Sequence, residues 1–172
     1  MTLLRQLLAI AALPFVVAVV VPTWIARQYG IVVRVATGPL VVLQVLGVSV
    51  LALGLLLFFA SLRRFATEGK GTLAPWDPPR RLVVRGPYRY VRNPMISGVL
   101  LVLLGESLLL LSRAHLSWAI LFFVINAIYI PLLEEPQLAA RFGVSYDEYR
   151  RHVPRLIPRV RPWEGGSSEP SA

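Results

Sequence analysis

The chain has 172 residues, 56% of them apolar, a formal net charge of +9 and no cysteine. Its length suits one domain, and the lack of cysteine excludes disulfides, thiol nucleophiles and cysteine metal sites. The positive charge sits between and after the apolar blocks rather than over one basic face, so it points to membrane topology and contact with anionic lipid instead of nucleic acid.

The apolar residues form non-periodic blocks long enough to cross a bilayer, which takes roughly 20 residues. The predicted fold class is an all-α integral membrane protein with four spans and an interfacial C-terminal helix. The first span is Leu7–Ala26, with bends at Pro14 and Pro22. It follows a short basic start as a signal peptide would. It is longer than a typical apolar signal region and has no small-x-small cleavage pattern, so it is read as a helix of the mature protein. The second span, Leu40–Leu62, follows the Gly38-Pro39 break. Gly47, Gly54 and Ser49 within it are read as helix-packing residues.

Residues 63–93 are too rich in Gly, Pro and charge to span. Thr72–Pro79 reads as an extended or turning interfacial segment anchored by Trp76. The third span is Pro94–Leu111 and the fourth Leu116–Leu133, with Pro131 near its end. At ~1.5 Å per residue each reaches about 27 Å, close to the hydrocarbon thickness. Residues 136–152 read as an amphipathic helix on the membrane surface, and 163–172 as a disordered tail. The expected organisation is 1–62 for two N-terminal spans, 63–162 for the loop, hairpin and interfacial helix that form the site, and 163–172 for the tail.

Arginine and lysine set the orientation. The 63–93 loop holds eight: Arg63, Arg64, Lys70, Arg80, Arg81, Arg85, Arg89 and Arg92. The region after span four holds six, whereas the 112–115 turn has Arg113 alone. Both termini and the 63–93 loop are therefore expected in the cytoplasm. The Arg-rich, Lys-poor usage fits a bacterial inner membrane.

The short 112–115 turn makes spans three and four antiparallel neighbours. Arg92 and Asn93, before span three, then lie at the same membrane face as Glu134 and Glu135, after span four. A ligand carrying both an ammonium and a carboxylate matches such a pocket, and the N-terminus of span three offers N–H groups to an anion. Adjacent glutamates project about 100° apart on a helix, so they line two sides of a pocket rather than one point. The alternative is a structural pair matched to Arg89, Arg92 or Arg141. Tyr88, Tyr90, Tyr146 and Tyr149 could line an adenine pocket or form an interfacial aromatic belt. Glu106, inside span three, reads as a packing residue facing Asn126 or Gln44 rather than as part of the cytoplasmic cluster. His115 and His152 are distant from each other, and no metal-ligand set is visible.

At these residues the sequence resembles the isoprenylcysteine carboxyl methyltransferases and, more broadly, the membrane phospholipid methyltransferases. The matching text is Arg85-Gly-Pro-Tyr-Arg-Tyr-Val-Arg-Asn-Pro-Met-Ile-Ser-Gly98, then Glu134-Glu135, Leu138, Phe142-Gly143, Tyr146, Tyr149 and Val153–Pro158. It covers roughly residues 82–159. The resemblance implies an S-adenosylmethionine-dependent methyltransferase whose cofactor sits at the cytoplasmic ends of the last two spans. It also implies a lipophilic acceptor, such as an isoprenylcysteine-type carboxylate, lipid amine or thiol, that enters from the bilayer. The expected cofactor-binding set is Tyr88, Tyr90, Asn93, Pro94, Gly98, Glu134, Glu135, Leu138, Tyr146 and Tyr149, and Arg92 positions the substrate or the cofactor carboxylate. The family's usual Arg-His-Pro is Arg92-Asn93-Pro94 here, and asparagine cannot take a proton. The competing readings are a steroid-reductase-like membrane oxidoreductase using NADPH, whose phosphates call for a more cationic pocket, and a non-catalytic membrane adaptor.

Overall fold

The computed structural model describes residues 13–68 and 82–165, and it is helical, with no strand among them. The start of the first predicted span, the Trp76 segment and the last seven residues of the tail lie outside the described residues.

Helix α1 is Leu13–Gln28 and α2 is Leu40–Glu68. A 3-10 turn at Gly86–Arg89 leads into α3, Pro94–Leu109. Helix α4, Arg113–Tyr129, continues through a π-turn at Ile130–Glu134 into α5, Glu135–Phe142, and α6 is Val144–His152. Two helices, Leu40–Glu68 and the continuous Arg113–Phe142, are long and apolar enough to cross a membrane; Leu13–Gln28 and Pro94–Leu109 are shorter apolar helices. Much of the outward surface of the long pair is apolar and exposed, including Leu56, Phe59, Ile120 and Ile128.

Several boundaries differ from the predicted ones. The second helix runs past Leu62 to Glu68, because nothing in Arg63–Glu68 breaks a helix. The third ends at Leu109, since Leu111 turns into the left-handed region at φ 48°. Ser112 then caps α4 by accepting from the His115 N–H at 3.3 Å. The predicted surface helix 136–152 is two helices. The first continues the axis of α4, and the chain turns at Gly143, whose φ of 52° suits a residue without Cβ.

Both π-turns precede a proline by the same spacing: Val16–Val20 before Pro22 and Ile130–Glu134 before Pro136. The Val21 N–H donates to the Val16 carbonyl, and Pro22 has no N–H for Val17. The Trp118 indole donates to the Val17 carbonyl instead, at 3.0 Å, which ties α1 to α4. His115 adds a second tie, with Nε2 3.2 Å from the Pro22 carbonyl and Nδ1 2.9 Å from Ser112 Oγ.

Helices α2 and α3 pack backbone to backbone. Glycines seven residues apart on each helix face one another, Gly47 with Gly105 and Gly54 with Gly98. A Cβ on Gly54 would lie 2.7 Å from the Gly98 carbonyl, and one on Gly98 would lie 2.8 Å from the Phe58 nitrogen. Gly47 and Gly54 thus serve helix packing, whereas Ser49 bonds its own helix at the Val45 carbonyl. Ala119 of α4 closes on Val99 and Leu103 from the other side of α3. The result is a bundle whose buried ion pairs lie at the end where α3 begins and α5 starts.

Candidate functional site

The segment after α6 builds this end of the molecule. It leaves α6 extended at Val153 and runs back along residues 89–97. The Arg92 N–H donates to the Pro154 carbonyl at 2.8 Å, and the Asn93 N–H to the Arg155 carbonyl at 3.1 Å. Ser97 Oγ donates to the Leu156 carbonyl at 2.8 Å. Further along, the Arg159 N–H donates to the Tyr90 carbonyl and the Trp163 N–H to the Arg89 carbonyl, both at 3.0 Å. The strap therefore uses backbone groups that precede α3, together with Ser97 in its first turn.

Under the strap lies a charge cluster. Glu135 opens α5, and its side chain is 11% exposed. Arg155 grips it in a bidentate pair, Nε to Oε1 at 2.6 Å and Nη2 to Oε2 at 3.1 Å. Arg92 Nη1 approaches the same Oε1 at 3.1 Å and also faces Tyr146 Oη at 3.5 Å. The bond to Glu135 raises the Arg155 guanidinium above its ordinary value. Arg92 is only 10% exposed in its side chain, and its Nε is buried with no partner among the described residues. Such an orphaned donor invites an anion.

Beside Glu135, Glu134 has no arginine at ion-pair distance among the described residues. It is half-buried and makes no hydrogen bond or ion pair to another described residue. It lies close enough to Tyr88 for its charge to act with burial in raising that phenol above its usual range. Among the described residues only Glu135 has an arginine at ion-pair distance; the Arg92 charge also reaches Glu134, which burial and the Glu135 charge push up to about 7. The partners of Glu135 are Arg92 and Arg155. Arg89 bonds the Trp163 carbonyl instead, and Arg141 lies against the Phe142 ring.

The tyrosines divide. Tyr146 and Tyr149 are 2% exposed and pack with Val153, Leu138, Phe142 and Trp163. Tyr149 Oη donates to the Tyr88 carbonyl at 2.7 Å, and burial pushes its phenol well above the usual range. Tyr88 belongs to a cluster with Phe65, Val83 and Met95. Tyr90 is exposed. The structure therefore brings Arg92, Asn93, Pro94, Glu135 and Tyr146 to one end and sets Glu134 beside Tyr88, with Leu138 and Tyr149 as packing beneath. Gly98 faces α2, where it permits the helix crossing.

Arg155, not among the residues singled out from the sequence, joins the cluster. Its only signal was its place in Val153–Pro158. Trp163, expected to open a disordered tail, stacks on the His152 ring at 5.5 Å and 10° and tilts against Tyr149. Glu106 does not pair with Asn126 or Gln44. Asn126 bonds the Phe122 carbonyl, and Gln44 bonds the Arg34 and Leu109 carbonyls.

Comparison with known proteins identifies the family. The family model for phospholipid methyltransferase matches residues 42–145. A methanethiol S-methyltransferase 2 from Bradyrhizobium diazoefficiens is 38% identical over 76 residues, which cover 42% of this chain and 27% of the relative. A methanethiol S-methyltransferase from Crocosphaera subtropica is 40% identical over 76 residues, 42% of this chain and 28% of the relative. The aligned region thus spans little more than a quarter of these relatives' length. No solved structure matches. The family model takes in α3, α4 and the Glu134-Glu135 pair, and the chain belongs to the phospholipid methyltransferase family.

Proposed function

We propose that the protein is an integral membrane methyltransferase that uses S-adenosylmethionine, with four spans and its site at the cytoplasmic face. The observation that carries this reading is the unequal treatment of charges at one polar end: Glu135 is engaged by Arg92 and Arg155, while Arg92 Nε and Glu134 have no hydrogen-bond or ion-pair partner among the described residues. The donor's amino-acid moiety carries one carboxylate and one ammonium. Arg92 Nε is a buried donor suited to the first, and Glu134 is an acceptor suited to the second. The cofactor when bound supplies an electrophilic methyl on a sulfonium.

The chain's own residues contribute position rather than proton transfer. Asn93 can donate a hydrogen bond but cannot accept a proton, and Arg92 and Arg155 are permanently protonated. Such a site accelerates displacement chiefly by holding donor and acceptor near attack distance. An acceptor that arrives already nucleophilic suits such a site. A thiolate or carboxylate meets that condition, and the thiol substrates in the relatives' names favour the thiolate. The exposed apolar faces of α2 and α4 favour entry of a lipophilic molecule from the bilayer.

Two measurements test the proposal. Purified protein in detergent micelles, given a labelled methyl donor with a panel of small thiols and a membrane lipid extract, is expected to yield a labelled methyl thioether. Absence of any labelled product overturns methyl transfer. Equilibrium binding is expected to favour S-adenosylhomocysteine over NADPH, and the reverse order establishes the oxidoreductase alternative.

A further inference from the structure

We propose that a groove formed by Arg64, Arg85 and Arg89 holds the phosphate of an anionic phospholipid of the surrounding bilayer. The groove has a volume of about 490 Å³ and is lined by Arg64, Arg85, Gly86, Arg89, Trp163 and Glu164. It is separate from the Arg92–Glu135 cluster, and its ligand does not depend on methyl transfer.

The groove exists because two backbone features converge. The cluster of Phe65, Val83, Tyr88 and Met95 seats the 3-10 turn Gly86–Arg89 against the end of α2. Gly86, at φ 59°, lets the Arg64 side chain cross the turn. A Cβ there would lie 3.1 Å from Arg64 Nε. Arg64 of α2, Arg85 before the turn and Arg89 within it thereby border one depression. The strap closes its far wall, since Arg89 Nε donates to the Trp163 carbonyl at 2.7 Å.

The arginines are weakly committed. Arg64 pairs with Glu68 at 2.9 Å, but that i,i+4 pair is exposed, with the Arg64 side chain at 50%, and a competing phosphate can displace it. Arg89 Nη2 is 3.9 Å from Glu164, whose side chain is 86% exposed. Arg85 is exposed. Among the described residues three guanidiniums therefore face one lining carboxylate, an excess that suits a phosphodiester, which arginine binds in a bidentate fork.

Position selects the lipid as the source of that phosphate. Arg63 and Arg64 directly follow the apolar run that ends at Leu62, so the groove opens at headgroup depth. Basic pockets between helices at that level bind acidic headgroups, and each arginine there contributes about a fivefold preference. The exposed Phe59, one turn toward the apolar end of α2, provides a surface for acyl chains.

The test uses full-length protein in zwitterionic micelles, titrated with phosphatidylglycerol or phosphatidylcholine and read by native mass spectrometry. Wild-type protein should retain phosphatidylglycerol at least about fivefold more tightly. The Arg64→Gln/Arg85→Gln double variant should close that gap, and Arg113→Gln, at the opposite end of the bundle, should keep it. Melting temperature without added lipid checks folding, and if the double variant melts early, Arg85→Gln alone supplies the comparison. Equal retention of the two lipids, or an equal loss in Arg113→Gln, overturns the proposal. Stabilisation by inorganic phosphate that matches phosphatidylglycerol at the same concentration assigns the groove to a soluble anion and overturns the lipid.

Discussion

Arg155 and Glu135 meet through two parallel hydrogen bonds, of 2.6 Å and 3.1 Å, across 20 positions of sequence. This pair binds the strap to the start of α5 and gives Arg92 a counter-charge at 3.1 Å. Glu135 is therefore a keystone of the fold at the site, and its neighbour Glu134 makes no ion pair among the described residues.

Glu135→Gln should destabilise the protein by roughly 2–3 kcal/mol, below the range for a fully buried pair because Arg155 is 37% exposed. The buried Arg92 would lose its counter-charge. Thermal or denaturant unfolding in detergent measures the loss, and a wild-type melting temperature would contradict the assignment.

Glu134→Gln should behave oppositely. It should melt with the wild type, because Glu134 has no partner among the described residues, while S-adenosylhomocysteine affinity should fall about tenfold or more, the worth of one charge-assisted hydrogen bond. Calorimetric titration reads the change. Unaltered affinity would remove Glu134 from the cofactor site.

Gly54→Ala should cost about 1–3 kcal/mol, because its Cβ would press on the backbone carbonyl of Gly98 and the Val102 nitrogen, both 2.7 Å away. Backbone cannot rotate aside as a flexible side chain does. Alanine at the exposed Val45 should cost little by comparison, and melting of the two variants in parallel checks the difference.

Tyr88 and Tyr149 hold their phenols above the ordinary value of about 10 because they are buried in the fold. A raised folded value means that their contribution is fully present below about pH 10 and is lost as pH rises further. Their phenolate absorbance should appear together with loss of helical circular dichroism, after that of exposed tyrosines. Tyr149→Phe, which removes the hydrogen bond to the Tyr88 carbonyl, should cost about 1 kcal/mol.

The cysteine-free chain makes topology directly measurable. Ser145→Cys, exposed in the first turn of α6, should react with an impermeant thiol reagent only from the cytoplasmic side, and Arg113→Cys, at the start of α4, only from the other. Labelling of both from one side would overturn the proposed crossing.

The sequence by itself determined the helical content, the two long apolar helices and the residues that flank them, because long apolar runs and their breaks are local properties. Pro22 and Pro131 marked irregularities in the right neighbourhoods, whereas the break at Gly143 fell inside a predicted single helix, and the backbone's answer to a proline is set by what can satisfy the freed carbonyl. For Val17 that is Trp118, 101 positions away. The Arg92–Asn93 and Glu134–Glu135 segments were legible as one polar end for the same local reason. Tertiary structure alone decided that Glu135 belongs to Arg155, that Gly98 serves a helix crossing, and that Trp163 closes a wall. Each depends on where the strap falls, and the strap is positioned by backbone hydrogen bonds whose donors and acceptors every residue shares, so no side-chain pattern announces its register.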